Sequence, residues 1–193
     1  MCLCVKNKFY VLKENVSISS FIIFQRFMKT LFLIRHAKSS WASIGLRDIE
    51  RTLEERGHKD APRMAKHIKK LGFKPDLLVS SPAVRARTTA EYFASAFNIA
   101  SESIDIQQDI YEADEETILH IIHELPDSVE TVFLFGHNPT FTYVADSFSK
   151  TTRFDNVPTC GVVQICSNTE GASWKSFGFK TADVKGFWFP KGI

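Results

Sequence analysis

The sequence predicts a single α/β domain built in three layers, and three observations support this. Short apolar runs rich in β-forming residues alternate with segments whose apolar residues recur at helical spacing. No internal repeat or low-complexity linker divides the sequence. Its 193 residues, 44% hydrophobic and 24% charged, are enough to bury a core without disulfides or structural metals.

The first half contains two predicted strands, each followed by a predicted helix. Residues 30–34 form a short apolar run, and residues 76–80 (DLLVS) form another. Helical spacing of apolar residues predicts helices over about 54–71 and 83–97. Pro62 lies in the first helix, where it marks either the first turn or a kink.

The second half continues the same alternation. Residues 104–110 (IDIQQDI) alternate like a half-exposed strand, and residues 118–125 follow as an amphipathic helix that ends before Pro126. Residues 131–136 (TVFLFG) read as a buried strand and 139–148 as a short helix. GVVQIC and ASWKSFGF, separated by SNTEG, then predict a hairpin.

Composition and charge exclude several classes of function. The net charge of +2 provides no basic field for nucleic acid or a membrane surface. The apolar runs are too short for a transmembrane helix. The four cysteines (Cys2, Cys4, Cys160 and Cys166) show neither a zinc-ligand spacing nor a disulfide framework. We therefore expect a reducing, cytoplasmic setting and no metal.

Cationic side chains follow three of the predicted strands. LFLI ends in Arg35 and His36, TVFLFG is followed by His137, and Arg85 lies one turn into the helix after DLLVS. Ligands of open α/β sheets bind outside the carboxyl ends of the strands. Guanidinium groups match pairs of phosphate oxygens. The pattern therefore predicts a phosphate or phosphoryl site made by these four residues.

Two of these strand ends also share a predicted helix start. Ser81-Pro82 and Asn138-Pro139 each place a capping residue before a proline, which is favoured at the first helical position. Helix N-termini at these points would offer unpaired N–H groups to an anion.

The chemistry of the site is constrained by what the sequence lacks. It has no GxxxxGK[ST] loop and no cluster of carboxylates for magnesium. A neutral imidazole can attack phosphorus and hold it covalently, which divides one difficult step into two. Two arginines would spread the charge of the transferring group.

Four sequence blocks in this order resemble the histidine phosphatase (phosphoglycerate mutase-like) superfamily, and within it the small SixA-type phosphohistidine phosphatases. The blocks are RHAKSSW, RDIERTLEERGHKDAPRMA, SSPAVRARTTA and FGHNPTF. The resemblance covers essentially all of residues 28–193. It implies a three-layer α/β sandwich, with a mostly parallel sheet and helices on both faces, and no metal or organic cofactor. Residues 1–27 match nothing in the pattern, so we expect them to be an extension outside the fold.

The resemblance also assigns roles to individual residues. His36 becomes the phosphoryl-accepting nucleophile, and Arg35, Arg85 and His137 become the phosphate pocket. Ser39 and Arg51 match positions near the pocket mouth, and hydrogen bonding by Asp48 and Arg51 is expected to stabilise the loop after the nucleophile. Ala37 stands where the superfamily signature has glycine, a small change.

An ester substrate would require a general acid in the predicted site. Superfamily members that act on phosphate esters use a carboxylic acid to protonate the leaving alkoxide, and Glu112 is the nearest candidate. A phosphohistidine substrate relaxes this need, because a free histidine imidazole has a pKa of about 6.5. A poorly placed acid would thus favour phosphohistidine over esters.

The leading interpretation is a phosphatase that acts on a phosphorylated protein, such as a histidine-containing signalling or transport carrier. The sequence lacks the long insertions that shape small-molecule sites in the mutases, so the site is expected to be open. A broad small-molecule phosphomonoesterase acting on phosphoesters and a phosphoprotein-binding module without turnover stay open as alternatives.

Overall fold

Strands alternate with helices along the chain, as the apolar pattern predicts. The computed structural model describes residues 28–40 and 45–193, so the predicted extension 1–27 lies outside the described residues. The strands are β1 (Thr30–Arg35), β2 (Leu77–Ser80), β3 (Asp105–Ile106), β4 (Thr131–Gly136), β5 (Val162–Ser167) and β6 (Ala182–Trp188). The helices are α1 (Glu55–Lys70), α2 (Val84–Phe97), α3 (Glu115–His123) and α4 (Thr140–Phe148).

The strands form one mixed sheet in the order β3-β2-β4-β1-β5-β6. Neighbouring strands from β3 to β1 are parallel, whereas β5 is antiparallel to both β1 and β6. Because β2, β4 and β1 are parallel neighbours, their carboxyl ends lie along one edge of the sheet. That edge carries the residues that the sequence singles out.

Helices cover both faces of the sheet, and the strand residues divide between the two cores accordingly. Leu31 and Leu33 of β1 belong to the core under α3 and α4, whereas Phe32 and Ile34 belong to the core under α1 and α2. Successive side chains of a strand point to opposite faces of the sheet. A strand that is buried on both faces is therefore apolar throughout, without the alternation of polar and apolar residues seen in half-exposed strands. The predicted α/β class and its three layers are confirmed.

The predicted hairpin partner of β5 was wrong. β5 pairs with β6 instead of with residues 172–179, which hold a 3-10 turn at Trp174–Ser176. Trp174 and Phe177 are fully buried in the core beneath α3. Their spacing of three residues suits a helical turn, so the burial of these two large rings favours a turn over the predicted strand.

The predicted positions of the two prolines were also wrong. α2 begins at Val84 and α4 at Thr140, so Pro82 and Pro139 precede the first helical residue. Ser81 accepts the Ala83 N–H just before α2 (3.3 Å). Asn138 caps no helix, and its side chain donates instead to the loop that precedes β5.

Two smaller features differ from the predicted pattern. β3 is only two residues long, and a 3-10 turn at Gln108–Ile110 follows it. Pro62 lies well inside α1, beyond its first turn. None of the helices in the described part of the chain has the length and apolar character needed to cross a bilayer.

Candidate active site

A cavity of about 580 Å³ lies at the carboxyl ends of β1, β2 and β4. Arg35, His36, Arg85 and His137 all contribute to its wall. Arg35 pairs with Gly136 in the register of β1 and β4, so the two histidines that follow them are neighbours. Their ring centroids are 5.2 Å apart. The structure thus brings together the four basic residues that the sequence places at three strand ends.

Hydrogen bonds from three parts of the fold hold the backbone at His36. Its N–H donates to the carbonyl of Gly136 (3.0 Å), and its own carbonyl accepts from the N–H of Cys160 (3.0 Å). The next N–H, of Ala37, donates to the Thr89 hydroxyl on α2 (3.0 Å). The backbone that carries His36 is therefore fixed before any ligand binds.

The segment after His36 is held by the chain that leads into α1. Lys38 accepts the N–H of Glu54 (3.0 Å), and Ser39 forms an isolated antiparallel bridge with Leu53. A Cβ at Gly57 would collide with the carbonyl oxygen of Lys38. Glycine at this position therefore allows α1 to approach the segment closely.

The hydrogen bond made by the His36 ring defines its tautomer. Nδ1 lies 2.7 Å from the carbonyl oxygen of Ala37. A carbonyl can only accept, so Nδ1 carries the proton and Nε2 of the neutral ring carries the lone pair. Burial lowers the pKa of His36 to about 3; the bond to Ala37 opposes this shift, and the positive charge of Arg85 adds to it. The ring is therefore neutral at physiological pH.

His137 lies beside it in a similar state. Its Nε2 is 2.8 Å from the hydroxyl of Ser81, at the end of β2. Burial lowers the pKa of His137 to about 3; repulsion from His36, when that ring is protonated, and from Arg85 adds to the shift. An added Cβ at Gly136 would lie 2.5 Å from the ring of Phe141, so the residue before His137 has room only for glycine.

The lowered pKa values of His36 and His137 predict how the stability of the protein depends on pH. Each has a pKa near 3 when folded and near 6.5 when unfolded, so the unfolded state binds more protons between these values. We expect the free energy of unfolding to fall as the pH is lowered from 6.5 towards 3. Each histidine adds a slope of up to about 1.4 kcal/mol per pH unit.

Urea unfolding at a series of pH values measures this slope. The double variant His36→Gln, His137→Gln should lose most of it between pH 6.5 and 4.5. A slope that is the same in the double variant and in the unaltered chain would contradict the assignment.

The two predicted phosphate-binding arginines are only partly satisfied by the protein. Arg35 Nη1 donates to the carbonyl of Val157 (2.7 Å). Arg85 donates from Nη1 to the Asp48 carbonyl (2.5 Å) and from Nη2 to Asp48 Oδ2 (2.8 Å). Within the described residues, Nε of both arginines and Nδ1 of His137 are buried without a hydrogen-bond partner. Because buried polar groups are normally paired, three such groups around one cavity suit the oxygens of an anion.

Asp48 and Tyr111 were not foreseen as parts of this wall. Asp48 Oδ1 accepts from Arg51 (2.7 Å), and Oδ2 accepts from the Tyr111 hydroxyl (2.9 Å) as well as from Arg85. Arg51 also donates to the Ser39 hydroxyl (2.7 Å). The expected role of Asp48 and Arg51 in holding the loop is thus present, but Asp48 additionally links this loop to α2 and to Tyr111.

Glu112 lies in the wall of the same cavity, with its side chain exposed. Its backbone adopts a left-handed conformation, with φ of 58°. Among the described residues, Glu112 and Asp48 supply the carboxylates of the wall. The acid role of Glu112 stays a prediction.

The described residues contain no group of three or more His, Cys, Asp or Glu side chains that could hold a metal ion. The side chains that line the cavity supply imidazole, guanidinium, ammonium, phenol, hydroxyl and carboxylate groups.

Comparison with known proteins shows which family this chain resembles. A family model described as the histidine phosphatase superfamily (branch 1) matches residues 31–132. A chloroplastic protein of Arabidopsis thaliana, itself uncharacterised, is 30% identical in an alignment of 156 positions that covers 76% of this chain and 69% of the relative. The cytoplasmic setting expected for this chain stays a prediction.

Solved structures show the same architecture. One, of a candidate phosphohistidine phosphatase SixA from Agrobacterium tumefaciens, is 30% identical with a TM-score of 0.70, covering 85% of this chain and 99% of that one. A protein histidine phosphatase SixA complexed with tungstate is 17% identical with a TM-score of 0.69, covering 84% and 97%. The chain thus belongs to the histidine phosphatase superfamily and has a SixA-type fold.

Proposed function

We propose that this phosphatase hydrolyses phosphohistidine on a protein, through a covalent phosphoryl intermediate on His36. The hydrogen bond from Nδ1 of His36 to the Ala37 carbonyl carries this proposal, because it leaves the Nε2 lone pair for attack. The lowered pKa of the ring keeps that lone pair unprotonated. The ring is buried in the wall of a cavity that also contains guanidinium groups, and their positive charge would stabilise the phosphoryl dianion during attack.

In the first step, Nε2 of His36 forms a bond to phosphorus while the bond from phosphorus to the substrate imidazole nitrogen breaks. The substrate ring carries a proton on its other nitrogen, so it leaves as a neutral imidazole that keeps the electron pair of the broken bond. In the second step, water attacks phosphorus, the bond to Nε2 breaks, and orthophosphate leaves. The neutral His36 ring is then regenerated.

The remaining basic residues bind the transferring group. Arg35 and Arg85 offer the unpaired Nε–H groups of their guanidinium ions. The Ser81 hydroxyl accepts from the Ala83 N–H and can donate its own proton to Nε2 of His137. The neutral His137 ring then carries its proton on Nδ1, which has no protein partner among the described residues and can donate to a phosphoryl oxygen.

Asp48, one of the two carboxylates of the wall, provides no acid for an ester leaving group. Partial burial raises the pKa of Asp48, but hydrogen bonds from two guanidinium groups and a phenol outweigh this and bring it to about 2. Asp48 is therefore ionised and cannot protonate a leaving group at neutral pH. An alkoxide needs such a proton, whereas an imidazole with a pKa of about 6.5 leaves without a strong acid.

A side-by-side assay tests the proposal. The chain is incubated with a phosphohistidine-containing carrier protein and with p-nitrophenyl phosphate at equal concentrations. We expect kcat/KM to be larger for the phosphoprotein. Preferential hydrolysis of p-nitrophenyl phosphate would identify a phosphomonoesterase, and binding without turnover of either substrate would identify a binding module.

The role of Glu112 can be separated by adding an alkyl phosphate ester to this assay, because its alkoxide leaving group needs a proton. We expect Glu112→Gln to lower hydrolysis of the alkyl ester by about 10²-fold, the lower range for general acid catalysis, and to leave phosphohistidine hydrolysis within about threefold. Glu116→Gln is a matched control, because this exposed glutamate on α3 lies outside the cavity wall. No change in either activity of Glu112→Gln would remove Glu112 from the mechanism.

A further inference from the structure

Asp48 places a negative charge in the wall of a cavity that is built to hold an anion. Its carboxylate and its backbone carbonyl together engage both Nη groups of Arg85. The same carboxylate accepts from Arg51 and from Tyr111. A carboxylate near a phosphoryl site weakens anion binding by electrostatic repulsion. Its contacts with the neighbouring cations therefore suggest that it has another function.

The contacts between Asp48 and Arg85 indicate one such function. Arg85 is 5% exposed, and its Nη groups are turned towards Asp48 while its Nε has no partner among the described residues. A free guanidinium on a flexible stem can bind phosphate in several orientations. With both Nη groups engaged by Asp48, Arg85 has one defined orientation before the substrate arrives.

The net charge of the cavity wall indicates a second function for Asp48. Four cations (Arg35, Lys38, Arg51 and Arg85) and two carboxylates (Asp48 and Glu112) line the cavity, and both histidines are neutral. These side chains leave a net charge of +2, which equals the charge of a phosphoryl dianion with opposite sign. Without Asp48 the net charge would be +3, and the orthophosphate product would be held more tightly.

We propose that Asp48 is a positioning residue that fixes the orientation of Arg85 and balances the charge of the cavity, so that phosphate is bound productively and released. This proposal rests on the proposed function, since it assigns Asp48 a part in phosphoryl transfer. Asp48 itself touches no reacting atom and acts through the guanidinium groups.

The variant Asp48→Asn tests the proposal because it keeps the shape of the side chain and removes its charge. We expect the Kd for tungstate and for inorganic phosphate, measured by titration calorimetry, to fall about fivefold as one nearby negative charge is lost. We expect kcat for the phosphohistidine protein to fall about tenfold, since Arg85 is less well oriented and product leaves more slowly. A residue with a purely structural role would weaken binding and turnover together.

Two further variants separate charge from shape. Asp48→Glu keeps the charge and should leave the Kd for tungstate within twofold of that of the unaltered chain. Glu50→Gln removes a charge from the same 3-10 turn, where Glu50 pairs with Arg47 outside the cavity wall, and should change neither quantity. Weaker tungstate binding in Asp48→Asn, or no change in either quantity, would overturn the proposal.

The two proposals can fail separately in these measurements. Absence of turnover by the unaltered chain would refute the proposed function, while the tungstate titrations would still decide whether Asp48 balances the charge of the cavity.

Discussion

Replacement of His36 by alanine is expected to abolish turnover, with a loss in kcat of at least about 10³-fold for every phosphorylated substrate. The reason is that Nε2 of His36 is the proposed attacking atom, and the neighbouring His137 has its own Nε2 engaged with Ser81. Steady-state release of phosphate from a phosphohistidine protein measures the effect.

Two controls separate lost chemistry from lost structure. His120→Ala removes an exposed histidine of α3 that lies outside the active-site cavity, and it should keep full activity. The His36→Ala variant should still bind tungstate, because the guanidinium groups remain. Retention of more than about a tenth of the activity in His36→Ala would refute the mechanism.

Replacement of Arg85 by alanine has the second largest expected effect, a loss in kcat/KM of about 10² to 10³-fold. This range is typical for removal of one preorganised group that stabilises the transition state. Arg85 is buried in the same cavity wall as His36 and His137, and its charge also helps to keep the pKa of His36 low. Its loss should therefore shift the acid limb of the pH–rate profile upwards.

Arg87→Ala is the matched control for this prediction. Arg87 lies on the same helix and is exposed outside the cavity wall. Its replacement by alanine removes the same charge from the protein without altering the cavity. Arg85→Lys keeps the charge but loses the planar fork, so it should recover only part of the activity. An Arg85→Ala variant with kcat/KM within threefold of the unaltered chain would exclude Arg85 from phosphoryl binding.

The placement of the four basic residues follows from local sequence features. Apolar runs such as 131–136 are long enough to be buried strands, and polar residues immediately after them must emerge at the strand ends. Parallel pairing of β1 with β4 then makes His36 and His137 neighbours. Short-range patterns were sufficient here because Arg35, His36 and His137 lie at the end of a strand signal and Arg85 lies in the first turn of the helix that follows one.

The contacts of Asp48 could not be predicted in the same way. Asp48 begins a short 3-10 turn (Asp48–Glu50) between β1 and α1, where no sequence periodicity fixes the direction of a side chain. Its partners Arg85 and Tyr111 are 37 and 63 residues away in the sequence. Such contacts depend on how loops fold over the sheet, and the same holds for Ser81 and His137.

The misassigned segment 172–179 shows the limit of a short apolar-rich segment as a strand signal. Its apolar residues suggested a strand, but Trp174 and Phe177 are three residues apart and fill the core as a turn. The Ser173 hydroxyl donates to Asp127 (2.9 Å), a contact 46 residues away that stabilises the turn. Tertiary packing thus outweighed the local pattern.

The most direct test of the central claim is to trap the phosphoryl group on the enzyme. The chain is mixed with a phosphohistidine protein that carries a labelled phosphoryl group, quenched in alkali within milliseconds, and digested for mass spectrometry. Phosphohistidine survives alkali, so we expect label on the peptide that contains His36 and none in the His36→Ala variant. Label on another residue, or transfer to water without labelled enzyme at any time point, would contradict the mechanism.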